Sequence, residues 1–333
     1  MRRSTSTNTM SSCNCMEMFE VIPYSAGLAG EWNAFVARAK NATFLFDRRY
    51  MDYHADRFRD ASLMVFDRKK GNIVALMPAN RVGETLFSHQ GLSFGGLLID
   101  GKATAQAVCD MMVAANGYLR QQGFRRVIYR AMPWIYTSWP AEEPLYALSH
   151  VCKATLVSRD VASVIDLDSP LPFTELRRRG ARRALRNGVN IKPSDDFEAF
   201  WTLLSDNLHA KYNATPVHSL SEINLLRSRF PDNIRLYAAF EGNTMLAGTV
   251  LYITERVVKT QYISASPRGK DLGALDLLFD QMVHQRPLAQ RFLDLGTSAL
   301  EHDNDLRLPL IFQKEGFGAR AVCYDTYEWA LTN

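Results

Sequence analysis

The two halves of the chain repeat one order of predicted elements, and this repeat limits the possible folds more than any other feature. In each half, apolar residues at helical spacing come first, followed by short strands, one long amphipathic helix and a further strand. The first half has predicted helices over 48–58 and 103–122, strands over 62–66, 73–78 and 125–130, and an extended region over 85–99. The second half has predicted helices over 172–186, 219–230, 272–285 and 308–315, and a further helix whose apolar face runs over 197–208 after a cap-like start at Asp195. Its predicted strands cover 161–167, 234–240, 246–253, 257–264, 292–295 and 322–330. This order predicts an α/β (α+β) protein of two similar domains, each a mixed, mostly antiparallel sheet with helices on both faces.

The boundary between the two predicted domains lies near residues 158–163, giving an N-terminal domain over 19–160 and a C-terminal domain over 161–333. Residues 1–18 lack the apolar core of a signal peptide, and we interpret them as a disordered leader that contains alternative start sites at Met10, Met16 and Met18. The apolar runs are far shorter than the roughly 20 residues of a membrane span. We therefore expect a soluble, cytoplasmic protein, with an oligomeric state that the sequence does not reveal.

Composition excludes several classes of protein. The formal net charge is +4, from 39 basic and 35 acidic residues, so a general affinity for nucleic acid is not indicated. The five cysteines form neither a CxxC pair nor a Cys/His zinc spacing, which is typical of a reducing compartment. The sequence contains no HExxH motif or carboxylate triad, and we predict no metal. It also contains no GxGxxG after a first strand and no GxxxxGK[ST] motif.

The most informative segment is the strand, turn and helix start over residues 262–274. The turn contains Arg268, Gly269, Lys270 and Gly273, and an apolar helix follows directly. Main-chain N–H groups at a helix start, the helix dipole and two cations all favour an anion. Glycine allows a phosphate to approach the main chain closely. The alternative is a solvated basic turn between a strand and a helix.

This segment resembles the pyrophosphate-binding turn of the GNAT acyltransferases, whose usual pattern is Arg/Gln-x-x-Gly-x-Gly/Ala. The chain departs from that pattern, because Asp271 stands at the first glycine position. The degenerate form is similar to the tandem branch often called FemAB-like acetyltransferase domains. Further segments that carry this resemblance are 177–186, 211–218, 247–249, 292–298 and 312–318.

The resemblance implies a GNAT fold in each half, with an acyl-CoA co-substrate in a gap between two splayed strands of the C-terminal domain. The residues it assigns to the donor are Ser264, Arg268, Gly269, Lys270, Leu272, Gly273 and Ala274. The N-terminal domain has a thinner counterpart of the turn, and we expect it to shape the acceptor cleft without binding a donor. In Fem-type relatives the donor is instead an aminoacyl-tRNA and the acceptor a cell-wall peptide amine.

Three residues are candidates for catalysis. Tyr262 ends the strand facing the donor, and its hydroxyl could protonate the leaving thiolate; simple packing is the alternative. Asp294 ends the next strand, where it could hold or deprotonate an ammonium acceptor, or cap the following loop. His302 lies in the polar loop after that strand and could act as a base near neutral pH, or be merely exposed.

Substrate contacts are predicted from a basic helix, a loop and a helix end. The helix has six arginines in ten residues, including Arg178 and Arg182, which favours an anionic partner such as coenzyme A phosphates, a nucleotide-linked precursor or tRNA. Lys211, Tyr212 and His218 belong to a loop expected over the acceptor cleft. Lys314 could pair with a phosphate or carboxylate, although a cation is favourable at a helix end in any case.

We therefore expect an N-acyltransferase that moves an acyl group from acyl-CoA to an amine of a small or nucleotide-activated acceptor. The first alternative is Fem-type aminoacyl-tRNA-dependent transfer, which is weakened by the lack of the sustained heptads of a coiled-coil arm. The second alternative is a catalytically silent module that binds an anion through the arginine-rich helix.

Overall fold

The computed structural model describes residues 18–300, 303–306 and 308–331; within these ranges, the side chains of residues 212, 299–300 and 303–306 are not described. Apart from Met18, the predicted leader lies outside the described residues. The chain divides into two compact units, one of which runs to Ser158 and resumes at Asp325, while the other covers Arg159–Tyr324. The last residues thus belong with the first unit and not, as predicted, with the C-terminal domain. The reason is that residues Thr326–Ala330 pair with Arg126–Arg130, a strand of the first unit.

The described residues of the first unit form four α-helices. The helices are α1 (Ala29–Val36), α2 (Arg48–Met51), α3 (Ala105–Gln121) and α4 (Glu143–His150). The strands are β1 (Phe19–Pro23), β2 (Leu63–Asp67), β3 (Asn72–Met77), β4 (Asn80–Val82), β5 (Thr85–Phe87), β6 (Leu98–Ile99) and β7 (Arg126–Arg130), with β8 (Thr155–Asp166) leading into the second unit. Strands β1, β2, β3 and β6 form one antiparallel sheet.

The second sheet of the first unit is completed by the end of the chain. Strand β5 pairs with β4 in the antiparallel sense and with β7 in the parallel sense. On its other edge, β7 pairs with residues Thr326–Ala330 of the last strand, β16 (Arg320–Ala330). Thr104 is the N-cap of helix α3, and its side chain accepts a hydrogen bond from Ala107 N. One apolar face of α3 is buried in the hydrophobic core of the first unit, which also contains Val127 of β7 and Trp329 of β16.

The helix predicted over 48–58 is much shorter in the structure. It ends at Met51 and continues as one 3-10 turn over Asp52–His54. Its N-cap is Asp47, whose carboxylate accepts from Arg49 N. His54 is then buried against Gly91, where an added Cβ would lie 2.0 Å from His54 Nε2. The residue spacing does not reveal the burial of His54 at this point, where the helix has already given way to a 3-10 turn.

Six successive strands form the mixed sheet of the second unit. Its helices are α5 (Glu175–Arg186), α6 (Phe197–Tyr212), α7 (Leu220–Arg229), α8 (Pro267–Leu272), α9 (Ala274–His284) and α10 (Leu308–Glu315). Its further strands are β9 (Asn190–Ser194), β10 (Ile234–Glu241), β11 (Thr244–Ile253), β12 (Val257–Ala265), β13 (Phe292–Thr297), and the two-stranded pair β14 (Ala299–Leu300) and β15 (Asp303–Leu306). The strand order is β8-β13-β12-β11-β10-β9, with β12 and β13 parallel and the other neighbours antiparallel.

Helices cover both faces of this sheet. Helix α9 packs one face through Leu278 and Phe279, which share a core with Leu251 and Leu293. Helix α6 covers the other face so closely that a Cβ at Gly248 of β11 would lie 2.8 Å from the ring of Phe200. The predicted α/β architecture of mixed, mostly antiparallel sheets and flanking helices is confirmed. Among the described residues, none of the helices combines the length and the apolar character needed to cross a membrane.

Candidate functional site

The central feature of the candidate site is the separation of two parallel strands. Strands β12 and β13 pair only from Val257 to Lys259 and from Phe292 to Asp294. Beyond that point β12 follows β11 up to Ala265, while β13 shifts register and follows β8 to Thr297. In open α/β sheets, ligands bind in the crevice outside the carboxyl ends of the strands, at the point where the connections of two adjacent strands lead in different directions. The residues at this divergence are therefore the first to consider for chemistry.

A β-bulge aims Tyr262 at the α6 face of the sheet. The register between β11 and β12 shifts between Val250 and Leu251, which inserts one extra residue into β12. The ring of Tyr262 then lies edge-on to Trp201 of α6, with 5.1 Å between ring centroids. The tyrosine thus has a fixed ring plane beside the divergence of the two strands.

The hydroxyl of Tyr262 is joined to a buried histidine. It lies 2.5 Å from His218 Nδ1 and accepts from His218 N at 3.2 Å. His218 is 4% exposed, and its carbonyl accepts from Trp201 Nε1 at 3.1 Å. The sequence predicted His218 as a substrate contact in a loop, and did not predict its partnership with Tyr262. The only local signal was that His218 directly precedes the capping box of Ser219 and Glu222, which fixes the entry into α7.

Asp294 is held entirely within the protein. Its side chain is fully buried; Oδ1 accepts from Gly296 N at 2.7 Å and Oδ2 accepts from the Tyr324 hydroxyl at 2.6 Å. The bond to Gly296 N is the loop-capping geometry given above as the alternative to catalysis. This carboxylate therefore sets the shape of the chain after β13.

Lys314 of α10 is buried against the same stretch of chain. Its ammonium donates to the carbonyls of Gly296 and Thr297 at 2.8 and 2.9 Å, and to Ser298 Oγ at 3.0 Å. Burial lowers the pKa of Lys314 to about 8, an effect that the charge of Asp294 partly offsets. All three ammonium protons have acceptors in the protein, so an ion pair with a ligand would have to displace one of them.

Replacing Lys314 by methionine should change how stability depends on pH. The pKa of Lys314 is lower in the folded chain than its ordinary value of 10.5, so between about pH 8 and 10.5 the unfolded chain binds more protons. The contribution of Lys314 to the free energy of unfolding therefore rises with pH across that window, by about 3 kcal/mol in total. Urea unfolding at pH 7.5, 9 and 10 measures it as a wild-type minus Lys314→Met difference. A difference that stays constant over this range would contradict the lowered pKa.

The predicted phosphate turn is a short helix rather than an open loop. Ser266 caps α8 by accepting from Gly269 N at 3.0 Å. A Cβ at Gly269 would meet Leu246 O at 2.3 Å, and one at Gly273, where φ is +81°, would meet Gly180 O at 2.6 Å. Both glycines are thus required for close packing of the main chain, while Leu272 and Ala274 are buried in the core. Main-chain packing therefore accounts for Gly269 and Gly273. The sequence alone could not distinguish this role from phosphate binding.

The two cations of this segment contact other protein groups. Arg268 forms an exposed ion pair with Glu241 at 2.8 Å, and Lys270 Nζ donates to Asn207 Oδ1 at 2.9 Å. Asn207 in turn donates to Ser264 Oγ at 2.7 Å, so Lys270 and Ser264 are linked through α6. The structure therefore brings these two predicted donor residues into one hydrogen-bonded group.

The remaining predicted residues lie apart from this group or outside the described part of the chain. Arg178 and Arg182 are exposed on α5 and pair with Glu175 at 2.8 and 2.5 Å. Lys211 is exposed in the last turn of α6. The side chain of Tyr212 and the whole of His302 lie outside the described residues.

The first unit contains a buried histidine pair that the sequence reasoning missed. The rings of His54 and His89 lie 5.3 Å apart, and His89 adopts a φ of +60°, which is unusual for a residue other than glycine. Burial, with the nearby His54, lowers the pKa of His89 to about 4, so this imidazole is neutral at pH 7. The two residues are 35 positions apart, and neither has a motif around it.

Comparison with known proteins places the fold in a class. No family model and no curated protein sequence matches this chain. Among solved structures, the chain is similar to FemX, with 11% identity, a TM-score of 0.65 and coverage of 93% of this chain and 97% of FemX. The fold is therefore similar to that of FemX, in agreement with the FemAB-like resemblance of the sequence.

Two further solved structures extend over nearly the whole chain. L-PGS from Bacillus licheniformis is 11% identical, with a TM-score of 0.56 and coverage of 90% of each chain. A conserved protein of unknown function from Bacteroides thetaiotaomicron is 8% identical, with a TM-score of 0.59 and coverage of 95% of this chain and 100% of that one. At these identities the likeness establishes the fold alone.

Proposed function

We propose that this protein is an N-acyltransferase that moves an acyl group from acyl-CoA to the amine of a small or nucleotide-activated acceptor. The observation that carries the proposal is the divergence of β12 and β13 with the Tyr262 hydroxyl beside it, hydrogen-bonded to His218. A gap at parallel strand ends can hold a thioester, and a phenol next to that gap can transfer a proton.

The proposed step needs only orientation and one proton transfer. The acceptor amine attacks the thioester carbonyl carbon, a C–N bond forms, and the C–S bond breaks as the tetrahedral intermediate collapses. Tyr262 donates its proton to the leaving thiolate and regains one through His218, whose ring nitrogen it contacts. The proton lost by the amine on forming the amide balances the one taken up by the thiolate.

Asp294 acts in this proposal as a positioning residue. Its carboxylate is fully buried and accepts hydrogen bonds from Tyr324 and Gly296 N, so we assign it to fixing the end of β13 rather than to contacting the acceptor. Ser264, Arg268 and Lys270 remain proposed donor contacts, because they lie at the end of β12 and both cations are exposed. His302 and Tyr212 remain predictions from the sequence.

The first unit supports the proposal that only the second binds a donor. Its own parallel pair, β5 and β7, is followed by a loop that fills the strand ends. Ser88 N donates to Ile128 O and Gly95 N donates to Arg130 O, both at 2.9 Å. A thioester could enter there only if these main-chain bonds were broken, which would cost several kcal/mol in a buried setting.

Transfer from an aminoacyl-tRNA, the Fem-type reaction, is a second candidate with its own support. The fold is similar to that of FemX, and α5 presents exposed arginines at the point where it crosses the start of α9. Both reactions are attacks by an amine on an activated ester, so they share the chemistry proposed for Tyr262. They differ in the carrier of the acyl group.

Acetyl-CoA should raise the melting temperature of the protein. At a concentration 100 times the dissociation constant, binding to the folded state alone contributes about 2.7 kcal/mol, which corresponds to a shift of roughly 5 °C. Differential scanning fluorimetry with acetyl-CoA, longer acyl-CoA esters and total tRNA measures the shift, with adenosine as the control ligand. A shift with tRNA alone would support the second candidate, and binding without turnover against an amine panel would support a silent module.

A further inference from the structure

Helix α5 carries an unusual surplus of positive charge. It contains six arginines and one glutamate, a net +5, which exceeds the +4 of the entire chain. Arg177 alone is directed inward, where it pairs with Asp276 of α9 at 2.9 Å. The other five arginines are exposed to solvent. Arginines concentrated in this way repel one another, and a bound anion would reduce that repulsion.

The acidic partners in the described part of the second unit cannot balance this charge. Glu175 is shared by Arg178, Arg179 and Arg182, at 2.8, 3.2 and 2.5 Å. Arg183 and Arg186 have no ion pair with any described residue. Together with Arg179, Arg182 and Leu185 they line an open hollow on one side of the helix. Guanidinium groups that face a common space at close range are suited to bidentate contacts with phosphate.

The position of this hollow connects it to the proposed donor site. Helix α5 crosses the junction of α8 and α9 with its main chain in contact, because a Cβ at Gly273 would meet Gly180 O at 2.6 Å and one at Gly180 would meet Asp276 Oδ2 at 1.8 Å. Arg183 is close enough to Asp276 for its charge to lower the pKa of that carboxyl, which burial raises. The arginines therefore stand at the junction that follows β12.

The junction itself is poorly suited to bind phosphate through its main chain. Gly269 N is used by Ser266 Oγ, Gly273 N by the carbonyls of Gly269 and Lys270, and the Gly180 carbonyl covers Gly273. A carbonyl oxygen at that point would repel an anion. The role predicted for the glycine-containing turn is thus better filled by side chains of the helix that covers it.

We propose that Arg183 and Arg186, with Arg179 and Arg182, bind the phosphate groups of the activated acyl donor. This inference rests on the proposed function and specifies how the donor is held. The shared chemistry is a phosphate-bearing carrier, which is the nucleotide end of coenzyme A in one case and the backbone of tRNA in the other. The acyl end then extends along β12 toward Tyr262.

The test compares the full-length wild-type protein with the double variant Arg183→Gln/Arg186→Gln. Isothermal titration with acetyl-CoA should show a dissociation constant roughly 10- to 100-fold higher for the variant, because two charge-assisted contacts are lost. The control is Arg227→Gln/Arg235→Gln, which removes the same charge from another surface of the second unit and should leave binding unchanged. The competing variant Arg268→Gln/Lys270→Gln should lose less affinity than the Arg183/Arg186 variant.

A donor without phosphates separates binding from folding. Wild type and Arg183→Gln/Arg186→Gln should acylate an amine from S-acetylpantetheine at equal rates, while the variant has a raised KM for acetyl-CoA alone. Arg183→Lys/Arg186→Lys should bind acetyl-CoA with intermediate affinity, since lysine retains the charge but not the bidentate fork. If the loss of binding appears with total tRNA instead, with a shallower salt dependence in the variant, the carrier is tRNA.

The outcomes distinguish this inference from the proposed function. If wild type binds and uses acetyl-CoA or aminoacyl-tRNA while Arg183→Gln/Arg186→Gln binds the same donor equally well, the inference is overturned and the acyltransferase proposal stands. If Arg268→Gln/Lys270→Gln shows the larger loss, the turn is the phosphate site and the inference is again overturned. If wild type neither binds nor uses any of these donors, the proposed function itself fails.

Discussion

Replacing Tyr262 by phenylalanine should lower kcat by roughly 10²- to 10⁴-fold, the usual contribution of a positioned general acid. The phenylalanine ring keeps the edge-on contact with Trp201 and removes only the hydroxyl that meets His218. Because the proton is needed when the thiolate leaves, and not when the donor binds, KM for acetyl-CoA should change little. Steady-state kinetics with acetyl-CoA and a responsive amine measure both quantities.

The matched control for this change is Tyr237→Phe. Tyr237 is a buried tyrosine of β10 whose ring belongs to the core on the α9 face of the same sheet, so it tests the general cost of removing a hydroxyl from this unit. We expect the kcat of Tyr237→Phe to stay within about twofold of wild type, because the change removes no group that contacts the proposed site. If Tyr262→Phe also kept kcat within that range, Tyr262 would be a packing residue, which is the alternative interpretation of its position.

Replacing Gly273 by alanine should lower the free energy of unfolding by about 2–5 kcal/mol. A left-handed main chain with φ of +81° costs an alanine about 1–2 kcal/mol, and its Cβ would stand 2.6 Å from Gly180 O, where relief requires moving one helix from another. Urea unfolding followed by circular dichroism measures the loss. The displacement of α5 should also weaken acetyl-CoA binding, because α5 carries the arginines.

Gly188→Ala separates the two contributions to this loss. Gly188 lies two residues after the C-terminal end of α5 and has a φ of +74°. A Cβ added there would have no atom within 4 Å. It therefore reports the conformational cost alone, about 1–2 kcal/mol. Equal losses for the two variants would mean that the contact between Gly273 and Gly180 can relax freely, contrary to the close crossing described here.

The parts of the fold that follow local patterns were predictable from sequence. The capping box at Ser219 and Glu222 is present with both of its hydrogen bonds, because it depends only on residues three positions apart. The six strands predicted in the second half agree with the structure to within about two residues at most ends, since each alternates or runs apolar between turn residues. Strand β9 was not predicted, and β8 begins at Thr155 instead of residue 161. The resemblance carried by residues 177–186, 292–298 and 312–318 predicted the FemAB-like fold class.

The parts that depend on distant residues were not predictable in this way. Residues 267–272 form a helix because Ser266 caps them, yet Pro267, Gly269 and Gly273 favour a loop when considered alone. The hydrogen bond between His218 and Tyr262 joins positions 44 residues apart, and no periodicity indicates it. Likewise, the crossing of Gly180 and Gly273 makes these glycines necessary for packing, whereas the sequence suggested an open phosphate turn.

The return of the chain to the first unit has a consequence for the order of biosynthesis. Strand β7 pairs with β5 on one edge and gains its second neighbour only when Thr326–Ala330 have been made. The same stretch supplies Trp329, whose Nε1 donates to Asn116 Oδ1 of α3 at 3.2 Å. The core of the first unit therefore closes only after residues 326–330 have been synthesised. Until those residues are made, one edge of β7 is unpaired and open to other chains, and a chaperone would protect the nascent protein most effectively during that interval.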